Sequence, residues 1–212
     1  TQAAGTIVTR ISNTAICNSL GLNLSHKYTG ASFVSIAVAE DGDSTGIGFA
    51  SKSSHDFDHL DIKEISGEAA TDATSSVKPK PIQMGSYDVI FQPDVAGDCL
   101  GSYMQLGFSV NRHPSFIEPE SCCASDQLTV IDDPQNPETL MATPFDSEGT
   151  PTTDLTLIEK GVAKNQCYDQ RSAAKTGRKS TGHAALSHEP TYNSKFFPAW
   201  IYFPHNQIVH PG

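Results

Sequence analysis

The feature that most constrains this chain is a series of acidic residues in turn-forming contexts between Leu128 and Gly182. Ile131–Pro134 reads Ile-Asp-Asp-Pro, and Pro144–Pro151 reads Pro-Phe-Asp-Ser-Glu-Gly-Thr-Pro. Aspartate side chains in such contexts bond the nearby backbone, which favours turns over regular helix. Asp154–Val162, which follows, has the pattern of a β-hairpin. The sequence therefore predicts short strands joined by tight acidic loops in this part of the chain.

The first fifty residues show the alternation of antiparallel strands. The predicted strands are Thr6–Ile11, Ala31–Ala39 and Thr45–Ser53, and Glu40–Asp43 is a tight acidic turn between the last two. Along the second strand, one face carries Phe33, Ser35, Ala37 and Ala39. The segment is therefore predicted to form an antiparallel meander.

A helix is predicted after the meander. Asp61 is suited to the N-cap, with Glu64 three residues later, and Pro79 forbids continuation. The apolar residues at helical spacing are Ile62, Ile65, Ala69, Ala73 and Val77. The stiff connector Pro79–Pro81 is the predicted domain boundary, which gives an α+β region over residues 1–80 and a mostly β region over residues 81–212.

Beyond the connector, the pattern predicts one further strand and one further helix. Tyr87–Phe91 is predicted to be a buried strand, and Pro93 is suited to the first turn of a helix. The residues predicted to share the inner face of that helix are Ala96, Cys99, Leu100, Tyr103 and Gly107.

Composition excludes several classes of function. The chain has 24 Asp and Glu against 14 Lys and Arg, a formal net charge of −10. Such a surface disfavours direct binding of nucleic acid, which needs clustered cations. The basic cluster Arg171–Lys179 is predicted to be a solvated helix end. No segment approaches the ~18 apolar residues of a membrane-spanning helix, so no membrane partner is expected. Five cysteines without a CxxC pair favour a reducing cytoplasm over a disulfide framework.

The order of these loops resembles the TldD/PmbA family of proposed zinc peptidases, once described as gyrase modulators and as microcin-maturation factors. The resemblance rests on the loops at Asp132 and Asp146, the hairpin at Leu157–Gly161, the short helix predicted after Asp169, and Ser180-Thr181-Gly182. It implies an α+β fold, mostly antiparallel β with a few helices, in a two-part architecture. We expect this chain to be only part of that architecture, incomplete at both ends.

The resemblance is to the PmbA (TldE) side of the family. TldD members carry an HExxxH zinc motif in the helix that follows an Ala-Gly pair, here Ala96-Gly97. Gly101 and Ser102 stand where His-Glu would be, and Leu106 stands at the second histidine. Zinc needs imidazole, thiolate or carboxylate donors, so we expect no metal and no cofactor in this chain. Zinc is expected only in a TldD-type partner.

The function that the resemblance implies is a non-catalytic subunit of a peptide-processing metalloprotease. Its partner would be a TldD-like subunit or a second copy of itself, and unfolded peptide would be the substrate. The residues predicted to face this peptide are Asp132, Asp133, Asp146, Glu148 and Gly149. The alternative is a homodimeric peptide-binding or chaperone-like module without proteolysis.

Three further hypotheses concern single residues and the aromatic end of the chain. His183, His188 and Glu189 can form a loop-borne metal site, although hydrogen-bonded or surface histidines are the simpler account. Cys99 or Cys167 can act as a nucleophile if a histidine lies nearby. The aromatic side chains near the end are predicted to be covered by the fold or by a second subunit: Phe196, Phe197, Trp200, Tyr202 and Phe203.

Overall fold

The structure is a computed structural model that describes residues 2–108, 117–140, 142–186, 200–202 and 207–211. The chain divides into two compact units. The first unit comprises Thr1–Asn13 and Lys27–Asp94, and the second comprises Thr14–His26 and Val95–Gly212. The domain boundary expected near residue 80 stays a prediction. The predicted cover of the aromatic side chains lies outside the described residues, apart from the backbone of residues 200–202.

The first unit is built on a three-stranded antiparallel sheet. Its strands are β1 (Gln2–Cys17), β2 (Asn23–Asp41) and β3 (Ser44–Ser54), in the order β1-β2-β3. The end of β1, the start of β2 and the turn between them, Thr14–His26, belong to the second unit. β2 pairs with β3 from Ala31↔Ser54 to Asp41↔Ser44. Gly42 has a φ of +61° in the turn between them, a conformation that glycine adopts without strain. The predicted meander is confirmed.

Helix α1 (Ile62–Ser75) covers one face of this sheet. Asp61 caps its start, because the Asp61 side chain accepts a hydrogen bond of 2.9 Å from the backbone N–H of Glu64. The predicted inner positions are confirmed: Ile65, Ala69 and Ala73 are fully buried, and they pack with Phe33, Ala37 and Ala39 of β2. The helix and the sheet form the apolar core of the first unit.

Two glycines of β3 allow α1 to approach closely. A Cβ on Gly46 would lie 2.1 Å from the carbonyl oxygen of Ala73, and a Cβ on Gly48 would lie 2.0 Å from that of Ala69. Both distances are far inside van der Waals contact, so only glycine fits at these two positions.

The predicted strand Tyr87–Phe91 is wrong. These residues form no helix or strand, and they are exposed, with Ile90 99% accessible. A strand needs a hydrogen-bonded neighbour, and none of the described strands pairs with this segment. Helix α2 (Pro93–Phe108) begins at the predicted proline. Its inner side differs from the prediction.

Five residues at or near the C-terminal half of α2 form its inner side: Leu100, Tyr103, Met104, Gly107 and Phe108. Leu100, Tyr103 and Gly107 were predicted there, whereas the predicted Ala96 and Cys99 are exposed. The first two turns of the helix therefore do not join the apolar cluster that the later turns enter.

The second unit contains a four-stranded antiparallel sheet in the order β6-β5-β4-β9. Its strands are β4 (Leu128–Asp132), β5 (Leu155–Glu159), β6 (Val162–Ala163) and β9 (Gln207–Pro211). The predicted hairpin is confirmed as β5–β6, and its turn residues Lys160 and Gly161 both have positive φ. A register shift interrupts the pairing of β4 with β5 between Val130 and Ile131.

An apolar cluster packs against this sheet, and short elements complete the second unit. The cluster contains Met104, Phe108, Val130, Leu157 and Ile158. The short elements are α3 (Gln170–Thr176), β7 (Ala184–Leu186) and β8 (Trp200–Tyr202), of which β7 and β8 pair with each other. The α+β class with antiparallel sheets is confirmed. Among the helices described, none has the length and apolar character needed to cross a membrane.

Candidate functional site

The acidic loops of the second unit converge on a buried, hydrogen-bonded pair of side chains, Asp132 and His183. Asp132 is the last residue of β4, and its carboxylate lies 2.8 Å from Nε2 of His183. Both side chains have no solvent exposure. The two residues are 51 positions apart in the sequence, so the fold brings the Ile131–Pro134 loop beside the Ser180–Gly182 turn.

His183 uses both ring nitrogens. Its Nδ1 lies 2.8 Å from both the carbonyl oxygen and the hydroxyl oxygen of Thr181. The other nitrogen contacts Asp132. Since both ring nitrogens have hydrogen-bond partners within the protein and the side chain is fully buried, the arrangement is that of a structural histidine.

Asp146 organises the second acidic loop. Its Oδ1 accepts hydrogen bonds from the backbone N–H groups of Glu148 and Thr150, at 2.9 and 2.8 Å. Its Oδ2 accepts from the backbone N–H of Ala184 at 3.0 Å. The carboxylate is 3% exposed. It therefore holds its own turn and ties that turn to the residue after His183.

Gly149 completes the turn in a conformation that other residues rarely adopt. Its φ is +79°, and a Cβ at this position would lie 2.5 Å from Cδ2 of Leu22, in the β1–β2 hairpin tip. Gly149 is buried beneath that tip. His26, at the base of the tip, donates from Nε2 to the carbonyl oxygen of Ala142 at 2.9 Å.

Asp133 and Glu148 are the members of the predicted peptide-facing set that solvent reaches. Both are partly exposed. Burial raises the pKa of Glu148, the nearby charges of Asp169 and Asp146 raise it further, and a hydrogen bond from the Gln170 backbone N–H opposes them. Desolvation, followed by the neighbouring Asp133 carboxyl, also raises the pKa of Asp154, which is exposed.

The three buried members of the set are placed differently. Asp132, Asp146 and Gly149 lie inside the loops. They can influence a peptide only through the loop conformation that they maintain. The peptide-facing role of the five residues stays a prediction.

Several structural residues escaped the sequence reasoning. Asp169 caps α3 through a reciprocal arrangement, because its side chain accepts from the backbone N–H of Ser172 and the Ser172 hydroxyl accepts from the backbone N–H of Asp169. The Asp-x-x-Ser spacing before a short helix was a usable signal. The pairing of His183 with Asp132 had no local signal, since it joins distant segments. The basic end of α3 is exposed, as predicted.

The cysteines do not assemble a nucleophilic site with His183. Cys167 is fully buried, and burial, together with the charge of Asp132, raises the pKa of its thiol well above the usual range. A neutral buried thiol is a poor nucleophile. Cys99 is exposed on the first half of α2, and Cys122 is exposed, whereas Cys123 is partly buried. The composition of the Cys122–Cys123 doublet suggests two buried small apolar residues, but Cys122 does not have this role because it is exposed.

The zinc expected of a metallopeptidase does not fit the residues of α2. Gly101 has no side chain and is partly buried, and Ser102 is exposed. The inner side of the helix supplies carbon, sulfur and a phenol to an apolar cluster, with no imidazole or carboxylate. Within the described residues, no group of three or more His, Cys, Asp or Glu is placed to hold a metal. His188 and Glu189 of the alternative loop site lie outside the described residues.

Comparison with family models covers both units. A model described as the PmbA/TldA metallopeptidase central domain matches residues 2–77. A second, described as the PmbA/TldA metallopeptidase C-terminal domain, matches residues 84–198, which is more than half of the chain. The acidic loops, α2 and the Asp132–His183 pair all lie within the second match.

Individual relatives agree with these matches. Metalloprotease PmbA of Escherichia coli O157:H7 is 29% identical over 176 residues, 81% of this chain and 39% of the relative. A PmbA homologue of Haemophilus influenzae is 31% identical over 140 residues, 64% of this chain and 31% of the relative. A solved Thermotoga maritima structure, described as a proposed modulator of a DNA gyrase, has a TM-score of 0.80 at 25% identity, over 99% of this chain and 46% of that protein. The chain spans less than half the length of these relatives.

Proposed function

The chain belongs to the PmbA/TldD metallopeptidase family, and from this premise we propose that it is a PmbA/TldE-type subunit of a peptide-processing protease. In this proposal a TldD-type partner carries the zinc, and the present chain binds unfolded peptide beside it. The cysteine usage supports a cytoplasmic location for this assembly.

The observation that carries the proposal is the composition of α2. The helix exists at the position expected from the family resemblance, within the match to the C-terminal domain. Gly101 and Leu106 stand at the two zinc-ligand positions of the motif, and Ser102 stands at the position of its general base. The inner side of the helix packs into the core at Met104 and Phe108. A family member with this helix has no imidazole donors on it, which supports the proposal that the metal chemistry comes from another subunit.

In this proposal, the chain contributes a peptide-binding surface formed by its ordered acidic loops. Asp146 fixes the loop that carries Glu148, and Asp132 fixes the segment against which that loop packs. The partly exposed carboxylates Asp133 and Glu148 then present acceptors to the backbone N–H groups of an extended peptide. Backbone recognition of this type suits unfolded peptides of varied sequence.

Reconstitution with a partner tests the proposal. The chain is mixed with a family member that carries HExxxH, and cleavage of a fluorogenic unstructured peptide is compared for the pair and for each protein alone. We expect the two proteins to co-purify, and we expect cleavage by the pair to exceed the sum of the separate activities. Peptide binding by the chain alone as a homodimer, without association with the partner, would favour the chaperone-like alternative. Cleavage by the chain alone would contradict the proposal.

Substitution of the partly exposed carboxylates tests whether the acidic loops bind peptide. Asp133→Asn and Glu148→Gln are expected to weaken peptide binding and to leave the fold intact, because both side chains are partly exposed. Asp43→Asn, an exposed carboxylate in the first unit, is the matched control. Binding is measured by fluorescence anisotropy beside a thermal melt. A loss of stability that precedes any loss of binding would assign both carboxylates a structural role.

A further inference from the structure

The sheet of the first unit has an open edge along β1. Among the described strands, β1 has β2 as its single neighbour, at the end of the order β1-β2-β3. Every residue from Gln2 to Ile11 is exposed. The backbone N–H and C=O groups on the outer side of β1 therefore have no described strand to bond, and such an edge is a template for an additional strand.

β1 also carries exposed apolar side chains on both of its faces. A Cβ on Gly5 would lie 3.0 Å from Cε2 of Phe33, which packs with α1. Side chains alternate along a strand, so Ile7 and Ile11 share this face and Val8 lies on the opposite face. All three are exposed. An added strand therefore covers them only if it is apolar on both of its own faces.

The same unit contains a segment with this character. Residues 87–91 read Tyr-Asp-Val-Ile-Phe, form no helix or strand, and are exposed throughout. Aromatic and β-branched side chains are typical of strands, and here they occupy alternate positions of both parities. Within the described part of the chain, the backbone groups of this segment form no hydrogen bond with other backbone groups. The segment therefore has the composition of a strand and lacks the neighbour that a strand needs.

The charges of the two segments indicate how they fit together. Arg10 is the only charged residue in the sequence of β1, and Asp88 is the only charged residue of residues 82–91. Neither side chain takes part in an ion pair with another described residue. Opposite charges that face each other across two strands stabilise the pairing, whereas like charges destabilise it. The favoured register therefore places Asp88 opposite Arg10.

An antiparallel arrangement in this register also matches the apolar side chains. The other facing residues are then Tyr87↔Ile11, Val89↔Thr9, Ile90↔Val8 and Phe91↔Ile7. Each exposed apolar residue of β1 meets an apolar or aromatic side chain. A parallel arrangement in the same register would instead place the polar residues Ser12 and Asn13 opposite the last two residues of the segment. The antiparallel arrangement is therefore favoured.

We propose that residues 87–91 of one copy of this chain add to β1 of a second copy as an antiparallel strand, with Asp88 opposite Arg10. In the structure, β1 and residues 87–91 belong to the same unit and do not pair with each other. A reciprocal exchange between two copies closes a two-fold dimer and gives both segments of each copy a hydrogen-bonding neighbour. This contact does not depend on the proposed function.

Sedimentation across a dilution series tests the exchange. The parent chain should form a dimer that dissociates on dilution. Ile90→Lys places a charge in the proposed contact and should abolish the dimer, whereas the fold should persist because Ile90 is exposed in the single chain. Ile82→Lys changes an exposed isoleucine outside the paired residues and is the matched control. A parent that is monomeric at every concentration, or a dimer that survives Ile90→Lys, would overturn the proposal.

Exchange of the two charges tests the register. Arg10→Asp places like charges opposite each other in both strand pairs and should weaken dimerisation about tenfold. Combination with Asp88→Arg should restore the dissociation constant of the parent. Lys63→Asp makes the same change in net charge at an exposed position of α1 and should leave the dimer unchanged. A double variant that dimerises no better than Arg10→Asp alone would contradict the proposed register.

Hydrogen exchange identifies the copy that supplies the added strand. At high concentration, alternate amides of residues 7–11 and 87–91 should be protected, because every second N–H of a strand points toward the same neighbour. The protection should be lost on dilution together with the dimer. Protection that is independent of concentration would mean that the segment pairs with β1 of its own chain, and this result would overturn the proposal.

Discussion

The first unit and the acidic loops of the second unit are stabilised in different ways. We call residues 131–134, 144–151 and 180–184 together the loop cluster. The core of the first unit is apolar, with Ser35 as its buried polar residue among those described. The second unit buries six polar or charged side chains in the described residues: Asp132, Asp146, Thr152, Asp169, Ser172 and His183. Apolar packing is non-directional, whereas buried polar groups must each find a partner. The conformation of the loop cluster is therefore determined by specific hydrogen bonds, whereas the core of the first unit is determined by the packing of apolar side chains.

The largest effect is expected where a buried polar side chain loses its partner. Asp132→Ala leaves a nitrogen of His183 without its carboxylate in a fully buried site and removes the volume of the Asp132 side chain. We expect these two effects together to lower the free energy of unfolding by about 3–5 kcal/mol. Ser35→Ala in the first unit is the control and should cost about 1 kcal/mol or less. Urea denaturation of both variants measures the difference. Equal effects of the two substitutions would remove the distinction between the units.

Close backbone packing should give a comparable but smaller effect in the first unit. Gly48→Ala places a Cβ 2.0 Å from the Ala69 carbonyl oxygen, which forces α1 away from β3. We expect a loss of about 3 kcal/mol in the free energy of unfolding. Gly30→Ala is the matched strand glycine, since a Cβ there meets nothing within 4 Å. A thermal melt in which both variants behave alike would show that the helix can shift without cost.

The smallest effect on the free energy of unfolding is expected at Glu148, a partly exposed residue of the loop cluster. The raised pKa of Glu148 means that the folded chain binds its proton more tightly than the unfolded chain does. Glu148 therefore contributes stability below the usual glutamate range, and this is lost as pH rises through the folded pKa. Glu148→Gln should be more stable than the parent by a few tenths of a kcal/mol at neutral pH, because water screens the partly exposed charge.

The difference in the free energy of unfolding between Glu148→Gln and the parent should disappear at acidic pH. Below about pH 4 the parent glutamate is protonated in both states and resembles glutamine. Chemical denaturation of both proteins at several pH values measures this trend. A variant that is less stable than the parent at neutral pH would mean that the carboxylate hydrogen bond from the Gln170 backbone outweighs the effect of burial.

The difference between the units also explains what the sequence could predict. The inner face of β2 and the Asp61 cap of α1 follow from local periodicity and local capping, and both are confirmed. The Asp146 turn is likewise a local motif. The pairing of Asp132 with His183 joins residues that are distant in the sequence, and no local pattern specifies it. Hydrogen bonds of this type depend on tertiary packing that must be known first.

Two errors have a physical origin of the same kind. Tyr87–Phe91 has strand-like composition, but strand formation depends on a neighbour, and none of the described strands provides one. Helical spacing in α2 could not show where along the helix the core begins, so Ala96 and Cys99 were assigned to an inner face that starts only at Leu100. Periodicity identifies a face of a helix and does not identify which part of that face is covered.

Zinc content tests the central claim most directly, since the account depends on a family member whose α2 lacks the two histidines of the HExxxH motif. The chain is purified without chelator, and zinc per chain is measured by inductively coupled plasma mass spectrometry for the parent and for His183→Ala. We predict less than stoichiometric zinc in both proteins. One tightly held zinc per parent chain, lost in His183→Ala, would contradict the account and assign the metal to a loop-borne site.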